Sequence, residues 1–131
     1  MPLAIRKEKR DQGYYVLELV GKLDTLTSPD CEKVIDEILA DDGRAIIFDL
    51  KGLEFISSMG LRVILKARKE LAARGGAVAT VQVQPQVAKV FEIAQIVPLE
   101  SICESIEECD RYLASIQRQV LEKQGKLTPT Y

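Results

Sequence analysis

The 131 residues include no histidine and no tryptophan. Histidine is the usual partner that deprotonates a serine at neutral pH, so a Ser-His-Asp hydrolase is excluded and no enzymatic activity is expected. Cysteine is scarce too: Cys31, Cys103 and Cys109 form no CxxC pair and give no finger-like metal site. Their odd number and spacing point to reduced thiols serving as small core residues. Neither a GxxxxGK loop followed by serine or threonine nor a GxGxxG loop occurs, so no nucleotide cofactor is expected. Aromatic residues make up 5%, and the formal charge is −2 with an isoelectric point near 5.3. Such a chain lacks both the basic field that gathers phosphate backbones and the rings on which bases stack, so nucleic acid is not an expected partner. No window approaches the roughly 20 apolar residues that span a bilayer. The opening MPLAIRKEKR lacks the charged-then-apolar order of a signal peptide. A soluble cytoplasmic protein with no membrane partner is the expectation.

What is present is an ordinary globular balance, 47% hydrophobic and 29% charged, at a length suited to one core. Residues 3–9 alternate apolar with charged, and residues 14–20 are rich in β-formers after the turn-forming Asp11-Gln12-Gly13, which predicts a hairpin. Ser28 is placed to cap a helix, Pro29 suits its first position and Asp30 its positive end. Val34, Ile35, Ile38 and Leu39 continue with helical spacing until Gly43. Residues 45–50, AIIFDL, carry apolar side chains on both faces and predict a central strand covered by helices on either side. From Ser58 the period changes: Leu61, Ile64, Leu65 and Ala72 stripe one helix face, and Gly75-Gly76 end it. Residues 77–83 read as a strand, residues 87–94 as a short helix, and residues 98–103 as an edge strand. Ser105 and Glu108 form a capping-box pattern. Ile106, Cys109, Leu113, Ile116 and Val120 then give a long C-terminal helix, about residues 105–124, a heptad-like seam. That seam is a candidate homodimer contact, although packing on its own domain is the commoner fate. Residues 125–131 read as a flexible tail. The whole is a mostly parallel sheet entered by an antiparallel hairpin.

The stretch FISSMGLRV places two hydroxyls and a glycine between a strand-like and a helix-like run, where α/β proteins put their chemistry. If Ser58 caps a helix beginning at Met59, its oxygen lies beside the unpaired amides of Gly60 and Leu61 at the positive end of the dipole. Such a place tolerates a phosphate, whose three oxygens those amides could receive. A plain helix cap accounts for the same pattern, for Ser57 as well as Ser58. Gly60, lacking a side chain, allows another backbone or a kinase to approach closely.

GKLDTLTSP after the second strand, IIFDLKGLEFISSMGLRVIL through strand and helix, and VFEIAQIVPLESICESIEE towards the end resemble the STAS domain family in its anti-sigma-factor-antagonist branch. The resemblance covers roughly residues 5–115. It implies an α/β STAS-type sandwich: a mixed, mostly parallel sheet with an N-terminal antiparallel hairpin, about four helices and a long C-terminal helix, in a single domain over residues 1–124. It implies a serine phosphorylated by a partner that is both kinase and anti-sigma factor, bound when the serine is unmodified, and a metal-dependent serine phosphatase that resets the switch. Aligned on Gly60-Leu61, Ser58 matches a middle hydroxyl and is the preferred acceptor, with Ser57 the alternative. Met59 stands where some relatives carry their phosphorylated hydroxyl, and Ser57 replaces a frequent aspartate. The expected partner-binding rim is Asp24, Ser57, Ser58, Met59, Gly60 and Arg62. For Asp24 the competing account is a turn-forming aspartate bonding local amides. Two alternatives accompany this reading: an unphosphorylated STAS scaffold in a larger signalling complex, and a partner-switching regulator whose target is not a sigma factor.

Overall fold

A computed structural model describes residues 3–96 and 105–125. The predicted hairpin forms from β1 (Ala4–Lys9) and β2 (Tyr14–Leu23), which pair antiparallel from Ala4↔Val20 to Lys9↔Tyr15. Its connection is a single 3-10 turn, Asp11–Gly13, closed by left-handed Gln12 (φ 64°) and Gly13 (φ 78°). β3 (Ala45–Ile56) lies parallel to β2, and β4 (Ala77–Val81) parallel to β3, giving the order β1-β2-β3-β4. The helices are α1 (Ser28–Ala40), α2 (Ser58–Ala73), α3 (Pro85–Ile96) and α4 (Ile106–Lys123).

Alternation decides which face of the sheet is covered. Tyr15, Leu17 and Leu19 of β2, with Ile46, Phe48 and Leu50 of β3, are almost wholly buried in one continuous core. Their neighbours Val16, Glu18, Ile47 and Asp49 stay partly exposed. Helices on both faces of residues 45–50 are therefore not what forms. Ile47 made the outer face look apolar, but it shares that face with Glu18 and Asp49, which keep it wet.

β3 extends six residues beyond the predicted end at Leu50, and the reason is a pair of irregularities. Glu18 pairs with Asp49 but Val20 with Gly52, and Gly21 pairs with Leu53 but Lys22 with Phe55. Each shift gives β3 one extra residue, a bulge that bends the strand. The buried set becomes Leu50, Leu53 and Ile56, a spacing of three that disguises a strand whose normal period is two. A Cβ on Gly52 at the first shift would lie 2.8 Å from Val20 Cγ2, so any larger residue there would have to displace the Val20 side chain.

The start of α1 lies one residue earlier than expected. Ser28 is already helical, and Thr27 stands in the cap position without a side-chain cap bond. The Ser28 hydroxyl instead donates to the Asp24 carbonyl at 2.6 Å. At α4 the predicted Ser105 cap forms, its Oγ accepting from the Glu108 amide at 3.1 Å. The seam of α4 turns onto the chain's own core: Cys109 and Leu113 are buried, while Ile116 and Val120 are half-buried. Cys31 is a free, buried thiol, with burial pushing its pKa up to about 12. Cys109, expected as a reduced thiol, is disulfide-bonded; approach in space, not CxxC spacing, decides pairing, and an odd count still allows one bridge. The predicted edge strand at 98–103 and residues 126–131 of the tail lie outside the described residues.

Candidate functional site

Parallel neighbours β2 and β3 end side by side, and each runs into the start of a helix, the carboxyl-end position at which open α/β sheets build sites. The junctions are stitched together by the Ser57 amide, which donates to the Leu23 carbonyl at 2.9 Å. Gly60 lets them close up. A Cβ on it would lie 2.6 Å from the Leu23 carbonyl oxygen, so the backbone that approaches this buried glycine is the chain's own.

Ser57, not Ser58, caps α2. Its backbone is extended, and its Oγ accepts from the Gly60 amide at 3.2 Å. Its carbonyl receives the Leu61 amide at 2.9 Å. Both amides assigned above to the neighbourhood of Ser58 are thus satisfied by Ser57. The one-residue shift follows from β3, which stays extended through Ile56 and leaves Ser57 as the last non-helical residue.

Ser58 consequently occupies the first helical position, and its two donors go elsewhere. The hydroxyl donates to Asp110 Oδ1 at 2.7 Å and the backbone N–H to the same oxygen at 3.0 Å. Ser57 and Ser58 are 3% and 5% exposed. Met59 is half-buried beside them and Arg62 points outward. One turn and two turns beyond Asp110 on α4 come Leu113, wholly buried, and Gln117, 2% exposed. The Gln117 amide accepts from the Ile56 N–H at 3.0 Å and donates to the Ile56 C=O at 2.8 Å, supplying both partners that a neighbouring strand would provide.

Asp24 organises the other junction. One of its carboxylate oxygens accepts from the Leu26 and Thr27 amides at 3.0 Å each, and Thr27 Oγ1 accepts in return from the Asp24 amide at 2.9 Å. This is the local turn chemistry of an aspartate. Its product is a tight loop that holds Leu26 outward, 87% exposed. Between this loop and α4 runs an open groove lined by Asp24, Leu26, Phe55, Ser57, Asp110 and Arg111 among others. Sequence reasoning missed Leu26, Asp110 and Gln117. Leu26 carried a usable signal, an apolar residue inside the polar turn DTLTSPD; the other two carried none locally.

Among the described residues no cluster of acidic or cysteine side chains is arranged to hold a metal ion, and no helix is long and apolar enough to cross a membrane. The hydroxyls are bound to an amide and a carboxylate, with no histidine anywhere in the chain.

A four-stranded mixed sheet with an antiparallel entry, helices on its covered face, and serines at the junction of its central strand with a helix define a small α/β domain of mixed-sheet topology. The STAS domain family model matches residues 5–109. The chain belongs to the STAS domain family, and the expected STAS-type α/β fold is the one observed. It is similar to the anti-sigma-F factor antagonist RsfB of Mycobacterium tuberculosis, 32% identical over 59 residues that cover 45% of this chain and 48% of RsfB, so the match spans about half of that relative's length. It is similar to an anti-sigma F factor antagonist of Paenibacillus polymyxa, 34% identical over 95 residues covering 72% and 80% of the two chains. Among solved structures it resembles the anti-sigma factor antagonist SpoIIAA in its unphosphorylated form, with a TM-score of 0.61 and 26% identity over 68% of this chain and 82% of that one. The phosphorylated form of SpoIIAA, a Bacillus cell fate determinant, matches with the same TM-score of 0.61 at 25% identity, over 70% and 83% of the chains.

Proposed function

We propose that this protein is an anti-sigma factor antagonist: a binding module that, unmodified, engages an anti-sigma factor of the serine-kinase type and is released when Ser58 is phosphorylated. The observation that supports the reading is the placement of Ser58 in the first turn of α2, with half-buried Met59 and exposed Arg62 following it, while an outward Leu26 stands in the loop after the neighbouring strand β2. An outward apolar side chain, an adaptable methionine and an arginine are residue types that interfaces favour. Leu26 belongs in this rim with Met59 and Arg62; Asp24 and Gly60 act behind it, by shaping the loop and by close packing. A metal-dependent serine phosphatase resets the switch, and the exchange takes place in the cytoplasm. Leu113 of the predicted seam is spent on the chain's own core, so a homodimer contact through α4 would rest on the half-buried Ile116 and Val120.

A phosphoserine carries about −1.5 to −2 charges at neutral pH. Burying such a charge unmatched in an interface costs several kcal/mol, and each 1.4 kcal/mol is tenfold, so phosphorylation weakens binding by about a thousandfold. Calorimetric titration of the cognate anti-sigma kinase tests this: Ser58→Ala binds like the parent and Ser58→Asp about a thousandfold more weakly. Equal binding by both variants overturns the assignment. The burial of Ser57 and Ser58 favours a second reading, an unphosphorylated STAS scaffold. Absence of any phosphopeptide after incubation with the kinase and ATP selects it. A partner-switching regulator with a target other than a sigma factor uses the same rim, and exchanging the sigma factor in the binding assay separates the two.

A further inference from the structure

The Ser58 hydroxyl is covered by this chain's own α4. Asp110 Oδ1 receives both the hydroxyl and the amide of Ser58, at 2.7 and 3.0 Å, so a carboxylate already stands where phosphate oxygens would have to go. Two turns further on, Gln117 holds the N–H and C=O of Ile56, at 3.0 and 2.8 Å. Leu113, wholly buried, lies between them. The helix thus grips Ile56 and Ser58 at two polar points spaced around one apolar one, and Ser58 is left 5% exposed.

We propose that α4 is an intramolecular latch on Ser58: docking of its N-terminal half through Asp110, and a phosphate on Ser58, exclude each other. The proposal rests on the reading of Ser58 as the modified residue. In the transfer itself, the γ-phosphoryl of kinase-bound ATP forms a bond to Ser58 Oγ as its bond to the ADP oxygen breaks, and the hydroxyl proton leaves to a base of the kinase. That requires an open approach to Oγ and a hydroxyl free of Asp110, so α4 must first lift. After transfer, a phosphate and the Asp110 carboxylate would share the space of one hydrogen bond, where like charges repel strongly. Modification at the strand-helix junction is thereby read out as release of a helix and exposure of the face that carries Leu113. Asp110 is a positioning residue in this scheme: it decides which state of Ser58 the fold accepts.

Hydrogen-deuterium exchange of the full chain tests the latch, followed in residues 106–123 and, as a control on the fold, in residues 14–23. Ser58→Asp is expected to raise exchange across 106–123 by about tenfold or more, while residues 14–23 keep their protection. Adding Asp110→Asn to that variant removes one of the two opposed charges and returns the exchange to near the parent rate. Ser58→Ala, which loses a hydrogen bond but gains no charge, changes it far less. The latch is refuted if Ser58→Asp exchanges in 106–123 like Ser58→Ala, or if Asp110→Asn brings no rescue. Should Ser58→Asp lose protection in 14–23 as well, Asp110→Ala reads the same latch with Ser58 intact: about tenfold faster exchange in the first turns of α4 supports it, and no change refutes it. None of these measurements involves a partner. A chain that latches but binds no anti-sigma factor refutes the proposed function alone, and one that binds without latching refutes this inference alone.

Discussion

Replacing Gln117 by leucine tests what fastens α4 to the sheet. Leucine is close to glutamine in size and keeps the apolar contacts of a site that is 2% exposed. What it removes is the pair of hydrogen bonds to the Ile56 N–H and C=O, together with the bond to the Leu113 carbonyl at 3.1 Å. Ile56 is wholly buried, so its backbone groups find no water while α4 stays docked. Leaving a buried donor or acceptor unpaired costs about 1–3 kcal/mol, and two such groups make about 2–6 kcal/mol. Undocking of α4 sets the ceiling, since it lets water satisfy Ile56 and spares the rest of the fold. We expect a loss of about 3 kcal/mol in urea denaturation. Gln117→Glu sharpens the test, because glutamate accepts from the Ile56 N–H but at neutral pH sets a charge against the Ile56 carbonyl. Its neutral form donates there instead, so the folded state raises its pKa above the unfolded value. The stability so recovered is full below the unfolded pKa of about 4.3 and is lost as the pH rises through the higher folded value. A loss under about 1 kcal/mol for Gln117→Leu, with residues 106–123 still protected, refutes the argument that these hydrogen bonds secure the helix.

Four further outcomes follow from the same geometry. Gly60→Ala, which in an ordinary helix stabilises by up to about 1 kcal/mol, is expected to destabilise by about 1–3 kcal/mol because its Cβ meets the Leu23 carbonyl at 2.6 Å; a raised melting temperature would contradict this. Ser57→Ala removes the α2 cap and costs about 0.5–2 kcal/mol, seen as a lower urea midpoint. Leu26→Ala leaves stability within about 0.5 kcal/mol but weakens anti-sigma binding by about tenfold or more in calorimetry, and unchanged affinity removes Leu26 from the rim. Asp41 is held below the usual carboxylate range by a hydrogen bond from Tyr15 and by the hydrogen bond and charge of Lys9. Its contribution is therefore complete at neutral pH, begins to fade near the ordinary value of 3.8 and is lost as the pH drops through the lower folded value. Asp41→Asn should flatten the acid limb of a stability-pH curve, and an unaltered limb would show that the triad adds nothing.

Legibility tracks distance along the chain. The hairpin and the Ser105 cap were readable because strand alternation and capping are written within a few residues; of the α2 stripe Leu61 and Ile64 are buried as expected, whereas Leu65 and Ala72 face outward and Val63, Ala67 and Leu71 fill the core instead. The end of β3 was not readable, because two bulges replace a period of two by a period of three at Leu50, Leu53 and Ile56. That same displacement moved the α2 cap from Ser58 to Ser57, a one-residue matter that reverses which hydroxyl is engaged by the helix. The one-sided cover of the sheet was hidden by Ile47, whose type says core but whose strand position says surface. Asp110 and Gln117 lie 52 and 61 positions from their partners, and no local pattern in a helix surface announces a contact of that range. The serines were therefore findable as a pair, and their guard was not.

The reach of the Gln117 contact also bears on the order in which the protein is made. Joining residues 56 and 117 closes a long loop, so this contact is among the last to repay its entropic cost during folding. On a ribosome, Ser58 emerges ahead of Asp110, which lies 52 residues further along the chain. Each newly made molecule thus passes through an interval with that serine uncovered, and a modifying enzyme acting during translation would meet a different substrate from one that arrives afterwards.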